Sequence, residues 1–525
     1  MENIKKKGQT PKSYQIALMS VFIIALTAGL LFRSYNIDKK VYSIDESWGT
    51  NLRISGYTWE EAKNRIYNGA ISKSELHEFQ RINNEKSVFD TVRGIAKEEP
   101  QLTPLYFVLA RFWALFFGSD VAAIRSLSVI ISLAVMPLIY LLCRELSKSK
   151  PAGLIAVALT AVSPFFVLYA QEARPFALWT AAILLSSVLL LRALRLNTGR
   201  SWLFYSLSSV FSMYTFFFSV LIVFAHGTYV AFLEGFKLTR RSVNYLISCF
   251  AAFVLFIPWV IVTIVNFSAA RYTTALAENP FGMTNLPRMW AANIVHIFLD
   301  LDPNGGIINL GNAFNEPLKI MLGIVFVAFV IYNFVALYKI NKKVWLFTMT
   351  FLASVWLIFV ILDIIFERSF SITGRYLVPI ALAVIIALSC VFESKIKTRK
   401  SWFFLLVILF ACGLTSCIAS SQAEVWWNKY SLHHALHDPE IGRILGNASN
   451  PLILSDRHVS NIMALSYLIN KEAEFIVIPV PRVVKIPEHH GEVFVYRPSN
   501  PFKNTFGQNL KPVYPVEEAW LWKLE

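Results

Sequence analysis

Apolar runs of membrane-crossing length recur along this chain, and they limit what it can fold into. A helix needs about 20 mainly apolar residues to cross a bilayer. The first run extends from about Gln15 to Phe32. Others lie near 121–143, 152–169, 176–194, 201–217, 219–236, 243–266, 317–338, 344–366, 376–393 and 401–421, eleven in all. The expectation is a polytopic α-helical membrane protein of about 11 transmembrane helices. The first run continues into Arg33-Ser34-Tyr35 with no small-residue cleavage pattern, so it reads as a span rather than a removed leader. Charged residues are 16% of the 525 and apolar residues 55%, against about 25% charged in soluble proteins. That balance excludes an ordinary soluble enzyme, a disordered chain and a small disulfide scaffold. Five cysteines, all in apolar stretches and with no C-x-x-C pair, read as small buried residues.

The net charge of +15 has its meaning in position, because cytoplasmic loops collect Lys and Arg. With the N-terminus inside, every inner loop is basic. One example is Lys237, Arg240 and Arg241; another is Lys395, Lys397, Arg399 and Lys400. The run 103–118 is short and has Arg111 at its centre. A mid-bilayer Arg is costly, and counting this run as a span would invert every later loop. It is expected to lie along or dip into the outer interface. Three parts then face outward: a loop at 33–102, a second near 267–316, and the tail 422–525. The domains are expected to be 1–421, a membrane part that includes the loop 33–102, and 422–525. In the tail, strand-like runs at 451–455, 474–480 and 492–496 flank a helical run, Val459 to Asn470. This predicts a small extracytoplasmic α/β domain built around a β-α-β unit.

Candidate chemistry clusters at the outer face. Asp45 and Glu46 follow the first span closely, and two adjacent carboxylates can supply a general base and a second, positioning acid. The competing explanation is local: Ser43 with Glu46 three residues on is a helix-starting capping box. Tyr169-Ala170-Gln171-Glu172-Ala173-Arg174 lies between two spans, where Arg174 could hold a lipid phosphate with paired hydrogen bonds. A Glu172–Arg174 pair that marks the interface is the plainer account. Gly374-Arg375-Tyr376, with Arg368 nearby, keeps further positive charge outside and suits an anionic substrate; headgroup anchoring is the alternative. Asp300 and Asp302 form a D-x-D that could bind a divalent metal, although a helix end followed by turn residues also explains it. His433 and His437 are spaced i, i+4, but no acidic third ligand accompanies them or His434, His489 and His490. No cofactor is firmly implied.

The run TPLYFVLARFWALFFGSDVAAIRSLSVIISLAVMPLIYLLCREL, followed by LTAVSPFFVLYAQEARPFALW, resembles the family 39 membrane glycosyltransferases. These are the polyprenyl- or dolichyl-phosphate-mannose mannosyltransferase-like proteins of GT-C fold. The resemblance is good over 15–240 and looser over 241–421. It implies an enzyme that moves a sugar from a lipid-phosphate carrier to an acceptor on the outer face. It places the family's acidic base on Asp45, with Glu46 beside it, and the family's Gln-Glu-Ala-Arg turn on Gln171 to Arg174. Tyr169, Gln171, Glu172, Arg174, Arg375 and Tyr376 are then substrate-binding candidates. No inner loop is long enough to fold a nucleotide-binding domain, which fits a donor embedded in the bilayer. Its leaving phosphate needs little acid help, so one base and a cationic clamp suffice. Opposite-face attack would invert the anomeric centre. The expected partners are a polyprenyl-phosphate-linked sugar, membrane lipids and an acceptor of unassigned class, with no nucleic acid. The expected site is the plasma membrane, or the inner membrane in a bacterium, with active site and C-terminus outside. Two rival classes share the composition: a transporter or flippase of lipid-linked sugars, and a non-catalytic envelope assembly subunit.

Overall fold

A computed structural model describes residues 12–275, 285–300, 312–429, 436–479, 491–514 and 520–525. By internal contact the chain divides into two compact units. The first comprises Met1–Asn36, Pro100–Tyr106 and Ser126–Ala423; the second comprises Ile37–Glu99, Phe107–Arg125 and Glu424–Glu525.

The first unit is helical. A helix occupies each of the eleven expected positions, but they differ in kind. Among the described residues, seven are long and apolar enough to cross a membrane: Val121–Ser147, Phe176–Leu196, Arg240–Val265, Pro317–Ile340, Lys342–Phe366, Gly374–Ile396 and Ser401–Gln422. Met19–Ser34 and Ser219–Leu233 are apolar but shorter, and Gly199–Thr215 carries six serine or threonine residues. The run expected near 152–169 as one span is instead two helices, Lys150–Ala161 and Pro164–Ala170, bent by 65°. Pro164 causes the break. It lacks an N–H, and its ring pushes Ser163 out of the helical region, to φ −74° and ψ 116°.

The centre of this unit is Gly374–Ile396, 89% of whose apolar window is buried, and Phe176–Leu196, at 72%. Arg240–Val265, at 28%, leaves most of its apolar surface outward, as a lipid-facing helix does. Glycines set the closest approaches. A Cβ on Gly29 would come within 2.7 Å of Ala161, and one on Gly413 within 2.6 Å of the Val162 carbonyl. Small residues let membrane helices touch along their backbones.

The second unit is α/β, and its extent differs from the expected boundary. The sequence reading assigns the loop 33–102 to the membrane part; residues 37–99 group instead with the tail. The reason is a shared sheet and core. Strand β1 (Ile71–Ser72) comes from the loop. Strands β2 (Leu452–Ser455), β3 (Glu474–Val477), β4 (Val493–Tyr496), β5 (Leu510–Tyr514) and β6 (Leu521–Leu524) come from the tail. The order is β1-β3-β2-β4-β6-β5. β2 runs parallel to β3 and β4, whereas β1, β5 and β6 pair antiparallel. All four residues of β2 are buried, as a central strand covered on both faces requires. On one face Ile453, Phe475 and Phe494 pack with Val459, Ile462, Met463, Ile441 and Leu445, and with Leu52, Ala62, Ile66, Ile71 and Leu76 from the loop. On the other, Leu452, Leu454 and Val495 pack with Phe502 and Leu510. The alternation along each strand is the period of two that sends neighbours to opposite faces.

The helix Leu105–Phe117 contains Arg111, and Phe107 to Arg125 belong to the second unit. Arg111 is buried and donates to the carbonyls of Ile54 and Lys86. The charge that disfavours a span at 103–118 is thus sheltered by residues of the segment 37–99.

Candidate functional site

The Asp-Glu pair of the second unit opens a helical run. Ile44–Glu46 is a single helical turn, Ser47–Asn51 continues it as a turn of π-helix, and Leu52–Ser55 ends it at Gly56. Gly56 has φ 89°, and a Cβ there would lie 2.7 Å from Lys86; only glycine fits both demands. Glu46 does what its capping-box position predicts. Its Oε2 accepts from the Ser43 N–H and Oγ, both at 3.2 Å. The same carboxylate receives a paired bond from Arg125, Nε to Oε1 and Nη2 to Oε2, each 2.8 Å. Arg125 further donates to the carbonyls of Ile37, Lys40 and Val41. Both side chains are almost fully enclosed. Glu46, expected as a catalytic residue, is enclosed here and ties residues 37–46 to Arg125.

Asp45 differs. Its side chain is 22% exposed, and its Oδ2 accepts from Lys429 Nζ at 2.7 Å. The start of the tail is held nearby in the same unit. The Val41 N–H donates to the Glu424 carbonyl at 2.9 Å, and Lys40 Nζ lies 4.4 Å from the Trp426 ring centre. Neither Lys429 nor Arg125 is among the sequence candidates. Arg125, a charge at the start of an apolar run, carries some signal. Lys429 carries none, because 384 residues separate it from its partner.

In the first unit, the turn 171–174 links helices Pro164–Ala170 and Phe176–Leu196 and is wholly buried. Gln171 Nε2 donates to the Phe32 and Tyr35 carbonyls at 2.8 and 2.9 Å. It satisfies carbonyls that the end of the first helix would leave unpaired, which is a structural task. Arg33 acts alongside. It is buried, and its guanidinium donates to the carbonyls of Gly29, Thr160 and Ala161, which sets a cation at the C-terminus of Lys150–Ala161. Glu172 and Arg174 are 3% and 7% exposed.

A relay of aromatic rings runs from the residues flanking this turn to Tyr376. Tyr169 packs on Phe176 at 5.3 Å, Phe176 on Phe216 at 5.6 Å, and Phe216 on Tyr376 at 5.9 Å. Tyr376 also meets Phe218 at 5.1 Å, and Arg375 lies 5.5 Å from the Tyr376 ring. Asp363, absent from the sequence candidates, anchors the approach: its buried carboxylate accepts the Phe370 and Ser371 N–H groups, both at 2.7 Å. Beside this segment is a largely apolar cavity of about 160 Å³, lined by Phe165, Trp290, Trp356, Ser371 and Leu377 among others.

Of the metal candidates, Asp302 lies outside the described residues. Asp300 is buried; its N–H bonds Ser416 Oγ at 3.1 Å and its Oδ2 accepts from Ser420 Oγ at 2.7 Å. The described residues contain no group of three metal-ligating side chains. His433, His434, His489 and His490 are also outside the described residues, and His437 packs on Trp520 and bonds the Tyr514 hydroxyl at 3.1 Å.

Comparison with known proteins adds to this geometry. Residues 99–262 match the family model described as dolichyl-phosphate-mannose-protein mannosyltransferase. No curated protein matches the chain in sequence. Among solved structures, the apo state of ArnT from Cupriavidus metallidurans is similar over 98% of both chains, with 10% identity and a TM-score of 0.51. The same protein bound to undecaprenyl phosphate gives 11% and 0.47, again over 98% of both chains. The apo oligosaccharyltransferase of Archaeoglobus fulgidus gives 14% and 0.45, over 86% of this chain; this chain spans 64% of its length. The chain thus has the fold of the GT-C membrane glycosyltransferases, and residues 99–262 carry the sequence pattern of the dolichyl-phosphate-mannose-protein mannosyltransferase family.

Proposed function

We propose that this protein transfers a sugar from a polyprenyl-phosphate carrier to an acceptor at the outer face of the membrane, with inversion, and that Asp45 is the general base. The observation that carries this reading is the split within the acidic pair. Glu46 is enclosed and engaged by Arg125, whereas Asp45 is partly exposed and has a lysine holding its carboxylate. A base must reach a proton that arrives from outside; of the two, Asp45 meets that demand. The acceptor hydroxyl attacks the anomeric carbon, the carbon–phosphate oxygen bond breaks, the hydroxyl proton passes to Asp45, and the phosphate leaves on the lipid. Arg174 and Arg375 are assigned to the leaving phosphate, whose charge a guanidinium stabilises by paired hydrogen bonds. The apolar cavity bearing Trp290 and Trp356 suits the carrier's hydrocarbon. ArnT, whose apo state shares the fold, is also known bound to undecaprenyl phosphate, and a carrier of that class agrees with this reading.

The test is sugar transfer by the purified protein in lipid with a panel of polyprenyl-phosphate sugars. Asp45→Asn is expected to lower turnover by about 10²–10⁴-fold, the usual contribution of a positioned acid or base. Full activity in that variant would remove Asp45 from the role. Absence of transfer with every donor and with added envelope acceptors would remove the enzymatic reading.

A further inference from the structure

The second unit has a group of rings and N–H donors, after the carboxyl end of β2, that the proposed chemistry does not use. β2 and β4 are parallel neighbours, and their following segments leave the sheet on opposite faces. After β2 comes the helix Val459–Ser466, whose apolar residues join the first core; after β4 comes Asn500–Asn504, whose Phe502 joins the second. A strand pair of this kind opens a gap beyond its carboxyl ends, the place where open α/β sheets bind ligands. The two loops there are stitched rigidly. Ser455 Oγ donates to the Tyr496 carbonyl at 3.0 Å, the Ser499 N–H donates to Asp456 at 3.0 Å, and Arg457 Nε donates to the Arg497 carbonyl at 2.7 Å.

The segment 37–99 sets two indoles against His458, which follows β2. Trp59 packs on His458 at 5.0 Å and an interplanar angle of 32°, and Trp48 meets Trp59 edge-on at 4.4 Å and His458 at 5.4 Å. Trp59 is fixed by its backbone N–H bond to Glu98 at 2.7 Å. Both indoles keep part of their surface in solvent; Trp59 also meets the Tyr67 ring at 6.1 Å, and the Arg53 guanidinium lies 5.8 Å from the Trp48 ring. Arg457 is exposed and bonds the protein through Nε, and its two terminal nitrogens carry further N–H donors. An apolar aromatic shelf beside N–H donors is the chemistry that holds a sugar: the rings cover the C–H face and the donors take ring oxygens or an acid group. Trp48 is three residues from Asp45 on one helical run.

We infer that Trp48, Trp59, His458 and Arg457 form a saccharide-binding subsite for the acceptor, with Arg457 favouring an acidic sugar. This rests on the transferase reading for the word acceptor; the binding itself does not. The experiment titrates the full-length protein in nanodiscs with two probes, neutral chitotetraose and an acidic hyaluronan tetrasaccharide, read by tryptophan fluorescence and saturation-transfer NMR. Both are expected to bind, the acidic one more tightly. Trp59→Leu should weaken both tenfold or more, Trp59→Tyr should retain most of the affinity, and Arg457→Met should abolish only the acidic preference. Asp45→Asn should bind as the parent does. Binding of neither probe, or parent-like binding by Trp59→Leu and Arg457→Met, overturns the subsite. Binding without sugar transfer under any condition overturns the transferase reading and leaves the subsite. Transfer whose acceptor KM is unchanged in Trp59→Leu does the reverse.

Discussion

Glu46 and Arg125 form an enclosed ion pair, and three backbone carbonyls accept further N–H bonds from Arg125. Removing one partner of such a pair leaves the other buried and uncompensated, at about 3–5 kcal/mol. Arg125→Met is therefore expected to lower the unfolding midpoint of the second unit sharply, whereas a paired Glu46→Gln, Arg125→Met replacement recovers part of it; urea unfolding followed by tryptophan fluorescence checks both. Lys429 belongs to a different class, because its partner is partly open to water. Lys429→Met is expected to lower kcat about tenfold with little change in stability. It should also move the acid limb of the pH–rate profile upward, since a carboxylate that loses a neighbouring cation protonates more readily; Lys429→Arg restores the profile. His77 gives a third test. Burial depresses its pKa from 6.5 to about 4, its ring stacks on Tyr467 at 4.5 Å, and its Nε2 meets Ser466 Oγ at 2.9 Å. The folded form takes up a proton later than the unfolded form. Stability is thus whole above pH 6.5 and is lost as pH falls toward 4. His77→Gln should flatten that decline in a pH series of unfolding midpoints.

Helix pairing in the first unit depends on the absence of side chains at two positions. Gly29 and Gly413 face backbone or Cβ atoms closer than a Cβ can tolerate, so Gly413→Ala is expected to cost about 1–3 kcal/mol through a forced helix shift. Thermal unfolding in detergent should show it, and Gly323→Ala, whose nearest neighbour lies at 3.8 Å, should leave the midpoint unchanged. The bend at Pro164 illustrates the boundary of sequence reading at this scale. Apolarity alone makes 152–169 one span. The missing N–H of Pro164 makes it two helices, because Ser163 cannot stay helical before a proline. The tail reads more directly. Runs 451–455, 474–480 and 492–496 all hold strands, and the helix begins at Val459 as expected, though it ends at Ser466. β5 and β6 escape such reading, since Leu510–Tyr514 contains a proline and a lysine and takes its strand form from pairing at the sheet edge.

At the scale of the whole molecule, the segment 37–99 and the tail form one compact unit. Truncation after Ala423 would remove most of the sheet and the tail's share of the core that covers Leu52, Ala62, Ile66, Ile71 and Leu76, besides Lys429. Residues 37–99 are then expected to become protease-sensitive in membranes, where those of the full chain resist; limited proteolysis with mass spectrometry decides it. The membrane class, the helix positions and the acidic pair were legible in the sequence because each is a local property: a run of apolar residues, or two neighbouring carboxylates with a capping serine. The division of the chain was not legible, because β1 (Ile71–Ser72) joins β3 (Glu474–Val477) from the far end of the sequence, and no local pattern announces such a pairing. Nor could the sequence show how differently Asp45 and Glu46 are held. Two adjacent carboxylates are chemically alike until Arg125 encloses one and Lys429 meets the other at a partly open surface. Hydrophobic periodicity determines which segments leave water; only the tertiary structure decides which charges leave with them.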